Sequence, residues 1–180
     1  MGKNDDLKVV ENRNEQIEKI TRLRQYFTRN SFPVLSIDTK KKELLGNFKR
    51  PGQVYCSDFL STYDHDFLSF SQGPLVPHSI YGVIDNKGYL TLGTSKETAA
   101  FVCDNIAHFW VQQLQYKYPN ADTILLSCDS GGANSCLHYI FKYRLAQLSK
   151  TLNMNILVAH YPAYCSKYNP IPIPLKEVVR

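Results

Sequence analysis

Two apolar runs of strand length, each followed by an aspartate, constrain the fold of this chain most strongly. The first run covers residues 32–37 and ends at Asp38, and the second covers residues 123–128 and ends at Asp129. Short runs with few polar residues are typical of strands buried in a sheet. If the two strands are neighbours, the two carboxylates lie side by side and predict a metal site. From residue types alone, aspartates that only close turns explain the pattern equally well.

Length, composition and charge fit one globular domain. The chain has 180 residues, of which 43% are hydrophobic, and this is enough to build the core of a single α/β domain. The formal net charge of +5 allows a nucleic-acid partner without requiring one. The five cysteines follow no metal-binding spacing, and no apolar run approaches the length of a membrane span. With no signal-peptide pattern either, we expect no membrane partner and a cytoplasmic protein.

The first half of the chain predicts a helix, a strand, an insertion and a hairpin. Apolar residues spaced by three and four predict an amphipathic helix over residues 5–29. A long polar insertion over about residues 43–77 follows the first strand. Residues 81–84 and 89–92 flank a turn-forming segment, 85–88, and therefore predict a β-hairpin.

The second half alternates helices and strands. Thr94 and Glu97 form a capping-box pattern, so a helix is expected to start there and to run to about Tyr118. After the second aspartate, Asn134 or Ser135 is expected to cap another helix. A last buried strand is expected after that helix, over residues 156–159.

This element order predicts an α/β fold, an RNase H-like mixed sheet flanked by helices. A hairpin followed by strands that alternate with helices gives a sheet with both parallel and antiparallel pairs. In an RNase H-like arrangement the first strand is central, and its neighbour is the strand after the first helix. That topology places Asp38 beside Asp129.

Several blocks of the sequence resemble one protein family, in the family's own order. Residues 34–49 look like the first catalytic block of DDE transposases from bacterial insertion sequences, of the Rhodopirellula type. Six shorter blocks resemble later parts of that family: residues 64–67, 81–82, 88–89, 98–101, 129–134 and 160–162. The resemblance covers about residues 12–171, which is nearly the whole chain.

The resemblance implies a domain that cuts and joins DNA at transposon ends with two Mg²⁺ ions, or Mn²⁺ in their place. The first two catalytic, metal-binding acids of the family correspond to Asp38 and Asp129. Transposon-end DNA and target DNA are the implied partners, and a homo-oligomer is left open. On this basis, residues 1–30 are a helical lead-in, residues 31–169 the RNase H-like DDE transposase domain and residues 170–180 a divergent proline-rich tail.

The sequence departs from the family pattern at the position of the third catalytic acid. Its block aligns without a gap to residues 167–173, and Pro172 stands where the family has glutamate. Prolines at 170, 172 and 174 also oppose the helix that carries this acid in the family. Glu177 could replace it only if the end of the chain were held near the site. Longer members have helices on both sides, so we expect a truncated, impaired transposase catalytic domain or, as the alternative, a non-catalytic DNA-binding remnant.

Basic residues after the first strand are candidates for DNA contacts. The five residues are Lys40, Lys41, Lys42, Lys49 and Arg50. Next to a metal site they would hold DNA phosphates, and each contact would add salt-dependent affinity. A solvated run of charges is the alternative interpretation.

Two further polar segments have open roles. Asp64, His65 and Asp66 could line the active site or contact a DNA end, although local turn hydrogen bonds explain them equally well. The Ser-Gly-Gly segment at residues 130–132 could hold a phosphate through backbone amides or let substrate approach Asp129 closely.

Two other site types are disfavoured by the motifs. A serine hydrolase would need a GxSxG elbow, and the sequence contains none. His160 and Cys165 suggest zinc only weakly, because no second pair completes the four ligands of a structural site.

Overall fold

A mixed β-sheet forms the centre of the fold. The computed structural model describes residues 12–39, 42–49, 55–129, 138–162 and 170. The strands are β1 (Val34–Thr39), β2 (Glu43–Leu45), β3 (Gly73–Gly82), β4 (Lys87–Gly93), β5 (Thr123–Cys128) and β6 (Asn155–His160). The helices are α1 (Arg13–Arg29), α2 (Ala99–Phe109), α3 (Gln115–Lys117) and α4 (Tyr139–Leu152), with a π-helical turn (Trp110–Leu114) between α2 and α3 and a 3-10 turn (Leu68–Phe70) before β3.

Strand β1 lies at the centre of the sheet. It pairs with β3 in antiparallel and with β5 in parallel orientation. Strand β4 pairs with β3 along residues that also pair with β1, so β4 lies on the outer side of β3. Strand β6 extends the other side through a parallel pairing with β5. This order, with helices on both faces, is the predicted RNase H-like arrangement, and the fold class is confirmed.

Helices cover the two faces of the sheet with separate apolar clusters. The larger cluster lies between the sheet and helices α2 and α4, and includes Leu35 and Ile37 of β1. The second lies under α1 and includes Ile20, Phe27 and Val34. Because successive strand residues point to opposite faces, these contacts define an α1 face and an α2–α4 face of the sheet. Helix α1 is therefore packed on the sheet, while the division of the chain at residues 30 and 170 stays a prediction.

The start of helix α2 differs from the prediction. Helix α2 begins at Ala99, and the hydroxyl of Thr98 accepts a hydrogen bond from the backbone N–H of Phe101 at 3.1 Å. The capping box predicted at Thr94 and Glu97 is therefore wrong. Ala99 is buried in the core, so the contacts of this residue favour a first helical turn that begins directly after Thr98. The predicted end near Tyr118 is confirmed, because α3 ends at the preceding residue.

Part of the predicted insertion belongs to the sheet. Strand β3 begins at Gly73 rather than in the hairpin, and its first three residues pair with β2. The last strand is also less buried than predicted, because β6 lies at an edge of the sheet and Leu157 is 40% exposed. Edge strands pair on one side only, which leaves more of their side chains in contact with water.

Some predictions about helix ends fall on residues that are not described. The first part of the helix predicted over residues 5–29 and the cap predicted at Asn134 or Ser135 lie outside the described residues. Helix α4 is described from Tyr139 onward, and it buries Phe141 against the sheet. In the described part of the chain, no helix is long and apolar enough to cross a lipid bilayer.

Candidate active site at the carboxyl ends of the central strands

The two predicted acids come together at the same edge of the sheet. In the parallel pairing of β1 with β5, Ile37 lies opposite Cys128. Asp38 is the next residue of β1 and Asp129 directly follows the end of β5, and both are partly buried. Each follows a residue of the α2–α4 face, so strand alternation directs both side chains to the α1 face. We call these two residues the acid pair.

Buried hydroxyl groups lie next to the acid pair on the α1 face. Ser36 and Ser127 are fully buried and pair with each other, two residues before each acid. Ser79 of β3 is also buried and lies opposite Asp38 in the β1–β3 register. Sequence reasoning missed these serines. The usable signal is the period of two along a strand, which places Ser36 with Asp38 and Ser127 with Asp129.

Helix α1 adds a positive charge to this polar layer. Burial raises the pKa of Tyr161, and the neighbouring Arg24 guanidinium and Ser127 hydroxyl partly oppose this rise, so the three groups lie close together. The Nε atom of Arg24 is buried. Gln16 donates a hydrogen bond of 2.9 Å to the backbone oxygen of His160, which ties α1 to the end of β6. Helix α1 thus covers the face that carries the acid pair.

The opposite face behind the acid pair holds neutral groups. His78 is fully buried beside Asn105, with 3.3 Å between its Nδ1 and the amide nitrogen, and burial lowers its pKa to about 4. Burial also raises the pKa of the Cys103 thiol to about 12, and burial and the charge of Asp129 raise the pKa of Cys128. Both thiols are therefore protonated and chemically inert near neutral pH.

The acid pair has the chemistry of a magnesium site. Mg²⁺ prefers oxygen ligands and is commonly held by one or two carboxylates together with waters and substrate phosphates. Two adjacent carboxylates repel each other unless a cation neutralises them, which favours metal binding here. Within the described ranges, no group of three or more His, Cys, Asp or Glu residues is placed to hold a metal. Asp38 and Asp129 supply oxygen ligands of the kind that Mg²⁺ prefers, and Pro172 and Glu177 lie outside the described residues.

The predicted DNA-contacting cations are only partly described. Lys42, just before β2, and Lys49 are exposed. The backbone N–H of Lys49 donates a hydrogen bond of 2.7 Å to the oxygen of Tyr63, which anchors this segment to the insertion. The remaining candidates, Lys40, Lys41 and Arg50, lie outside the described residues, as do residues 130–132.

The polar segment of the insertion is exposed. Asp64 Oδ2 lies 3.1 Å from His65 Nδ1, and both side chains are 77% exposed. The hydrogen bond and charge of His65 lower the pKa of Asp64. The ring of Tyr63 stacks on Phe70 at a centroid distance of 4.9 Å. The insertion therefore presents Asp64 and His65 to solvent beside an aromatic cluster, and the role of Asp66 next to them stays open.

Comparisons with known proteins give one family match. A family model described as Rhodopirellula transposase DDE domain matches residues 1–175. Among solved structures, the chain is similar to the Mos1 transposase paired-end complex with left transposon end, at 17% identity and a TM-score of 0.49, covering 93% of this chain and 47% of that chain. It is also similar to the Mos1 mariner paired-end complex with Mn, at 15% identity and a TM-score of 0.47, covering 83% of this chain and 43% of that chain. The chain thus spans about half the length of these Mos1 chains. A search of curated proteins gave no match.

Proposed function

We propose that the acid pair is the catalytic centre for cutting and joining DNA, because this chain belongs to the Rhodopirellula-type transposase DDE domain family. The observation that carries the proposal is the register of β1 and β5, which makes Asp38 and Asp129 neighbours at the carboxyl edge of the sheet. Transposon-end and target DNA are the proposed partners, in the cytoplasm. That two ions bind, and that the chain forms a homo-oligomer, stay predictions from the resemblance.

The chain's own residues would hold the metal and the DNA. The carboxylates of Asp38 and Asp129, both partly buried, would be the protein ligands. When bound, Mg²⁺ or Mn²⁺ supplies a Lewis acid that activates the attacking oxygen and stabilises the leaving oxygen of a phosphodiester. The five cations after β1 would hold the flanking phosphates of the DNA.

Metal binding tests the acid pair directly. Mn²⁺ titration by calorimetry is expected to show binding to the unaltered chain and none to Asp38→Ala or Asp129→Ala. Asp122→Ala is the matched control, because Asp122 is an exposed acid at the opposite end of β5, next to Thr123. Circular dichroism checks that each variant is folded. Unchanged Mn²⁺ binding in both acid-pair variants would contradict the proposal.

A non-catalytic DNA-binding remnant is the second candidate, and Pro172 at the position of the third acid favours it. Nicking of supercoiled DNA separates the two functions. Metal-dependent nicking that is lost in Asp129→Ala supports the enzyme, whereas DNA binding without nicking supports the remnant. In the second case Pro172→Glu alone is expected to restore nothing, because the prolines at 170 and 174 still oppose a helix.

A further inference from the structure

Tyr161 continues the line of β6 to the level of the acid pair. In the register of β5 with β6, His160 lies opposite Cys128, and the backbone N–H of Tyr161 donates a hydrogen bond of 2.9 Å to the oxygen of Cys128. The parallel pairing therefore continues one residue beyond the end of β6. Cys128 also lies opposite the residue of β1 that precedes Asp38. The next positions along the three strands therefore hold Asp38, Asp129 and Tyr161 in one row.

The side chain of Tyr161 lies on the same face of the sheet as the acid pair. Ala159 and Tyr161 both belong to the apolar cluster beneath α1, as expected for strand residues two positions apart. Tyr161 is 3% exposed, so its ring is held inside the protein. Neighbouring strands lie about 4.8 Å apart. Asp129 therefore has a carboxylate on one side, that of Asp38, and the aromatic residue on the other.

The hydroxyl of Tyr161 belongs to a buried polar layer next to Asp129. The hydroxyl oxygens of Tyr161 and Ser127 are both buried. The Ser127 hydroxyl and the Arg24 guanidinium are neighbours of the tyrosine, because both act on its pKa. Ser127 lies two residues before Asp129 and on the same face of β5. Tyr161 thus meets the strand that carries Asp129 at its backbone and again at its hydroxyl.

The hydroxyl of Tyr161 is not required to fill space in the core. Phenylalanine has the same ring and would bury no polar atom, and burying a hydroxyl costs free energy that its contacts must offset. Tyr118 provides a comparison at the opposite edge of the sheet. Its hydroxyl donates a hydrogen bond of 2.6 Å to Asp85, whose side chain is 1% exposed, so that hydroxyl satisfies a buried carboxylate. The corresponding group at the acid pair is next to the proposed metal ligands.

We propose that Tyr161 is a positioning residue for metal binding, which keeps the Asp129 carboxylate turned toward Asp38 through its ring and the contact of its hydroxyl with Ser127. This inference rests on the proposed function and adds a residue outside the acid pair to it. Groups behind metal ligands commonly change metal affinity by about 10- to 100-fold when they are replaced. Burial raises the pKa of Tyr161, so the hydroxyl keeps its proton near neutral pH and is not a phenolate ligand.

A matched pair of tyrosine variants tests this role. Tyr161→Phe keeps the ring and removes the hydroxyl, and calorimetric titration is expected to show Mn²⁺ affinity lower by about tenfold or more. Tyr118→Phe is the control, because it removes a buried hydroxyl at the other edge of the sheet. It is expected to lower the free energy of unfolding, measured in urea without metal, and to leave Mn²⁺ affinity unchanged. A purely structural role of Tyr161 would give the same result as Tyr118→Phe.

A double-mutant cycle tests the link through Ser127. Ser127→Ala removes the other side of the same contact and also provides a second variant of the polar layer. Because both substitutions remove one shared contact, Tyr161→Phe/Ser127→Ala is expected to lose no more Mn²⁺ affinity than the more affected single variant. Losses that add up in the double variant would overturn the proposed link.

The remaining outcomes separate this inference from the proposed function. If the unaltered chain binds Mn²⁺ and Tyr161→Phe binds it equally well, Tyr161 has no positioning role, and the acid pair is unaffected by that result. Equal losses of Mn²⁺ affinity in Tyr161→Phe and Tyr118→Phe would mean that any lost buried hydroxyl disturbs the site, which also overturns the inference. No Mn²⁺ binding by the unaltered chain would overturn the proposed function together with it.

Discussion

At the scale of residues, His78 shows how burial sets a charge state behind the acid pair. It lies fully buried beside Asn105 and the ring of Phe101, and burial lowers its pKa from 6.5 to about 4. The unfolded chain therefore takes up a proton near pH 6.5 while the folded chain does not. Stability is complete above pH 6.5 and falls as the pH decreases to about 4, by a total of about 3 kcal/mol from this residue.

Replacing the imidazole tests this linkage. His78→Gln keeps a side chain that can hydrogen-bond Asn105 and removes the titrating group. Urea unfolding at several pH values is expected to show a flatter dependence of the free energy of unfolding on pH between about 6.5 and about 4. His108→Gln, an exposed position on α2, is the control and is expected to keep the slope of the unaltered chain. Equal slopes for His78→Gln and the unaltered chain would refute the assignment.

The residues of the candidate site differ in how well their positions could be predicted from the sequence. The acid pair was predictable because a strand-end aspartate is a local pattern, and the strand order follows from the order of elements. Ser36 and Ser127 follow from strand alternation once the face is known. Arg24 could not be predicted, because its proximity to Tyr161 depends on how α1 is rotated on the sheet.

At the scale of elements, helix α1 is predicted to contribute strongly to stability. Phe27 is 5% exposed and packs in the cluster beneath α1, near the ring of Phe32 at 5.8 Å. Phe27→Ala is expected to cost about 3–5 kcal/mol, because it removes buried apolar surface and leaves a cavity. Its neighbour Tyr26 is 59% exposed, so Tyr26→Ala should cost much less. Chemical denaturation measures both, and similar losses in the two variants would mean that α1 is not docked as described.

Element boundaries were less predictable than element types. Periodicity gave the helices and the central strands because it reports which side faces the core. The start of α2 depended on which of two threonines precedes the first buried turn, and both fit a local cap. Strand β3 extends back to Gly73 through Pro74 and Pro77, residues that favour loops locally, because its pairing with β2 and β4 holds this segment in the sheet.

At the scale of the whole molecule, metal binding and folding are linked. The acid pair exists only in the folded chain, so a bound ion stabilises that state, by about 2.7 kcal/mol at a concentration of about 100 times Kd. Mn²⁺ is expected to raise the Tm of the unaltered chain. Asp129→Asn is expected to remove this rise and to leave the metal-free Tm equal or higher, because it also removes the repulsion between neighbouring carboxylates. In a thermal-shift measurement, Asp122→Asn should retain the rise, and a full Mn²⁺ effect in Asp129→Asn would contradict this account.

The pairing of β1 with β5 also determines when the site can exist during folding. The β3–β4 hairpin and helix α4 form from segments close in sequence, whereas β1 and β5 must meet across about half of the chain. Contacts between distant segments form late and slowly, because a long loop must close first. The acid pair is therefore a property of the completed topology. A fragment cut between β1 and β5 keeps one acid on each piece, and neither piece keeps the site.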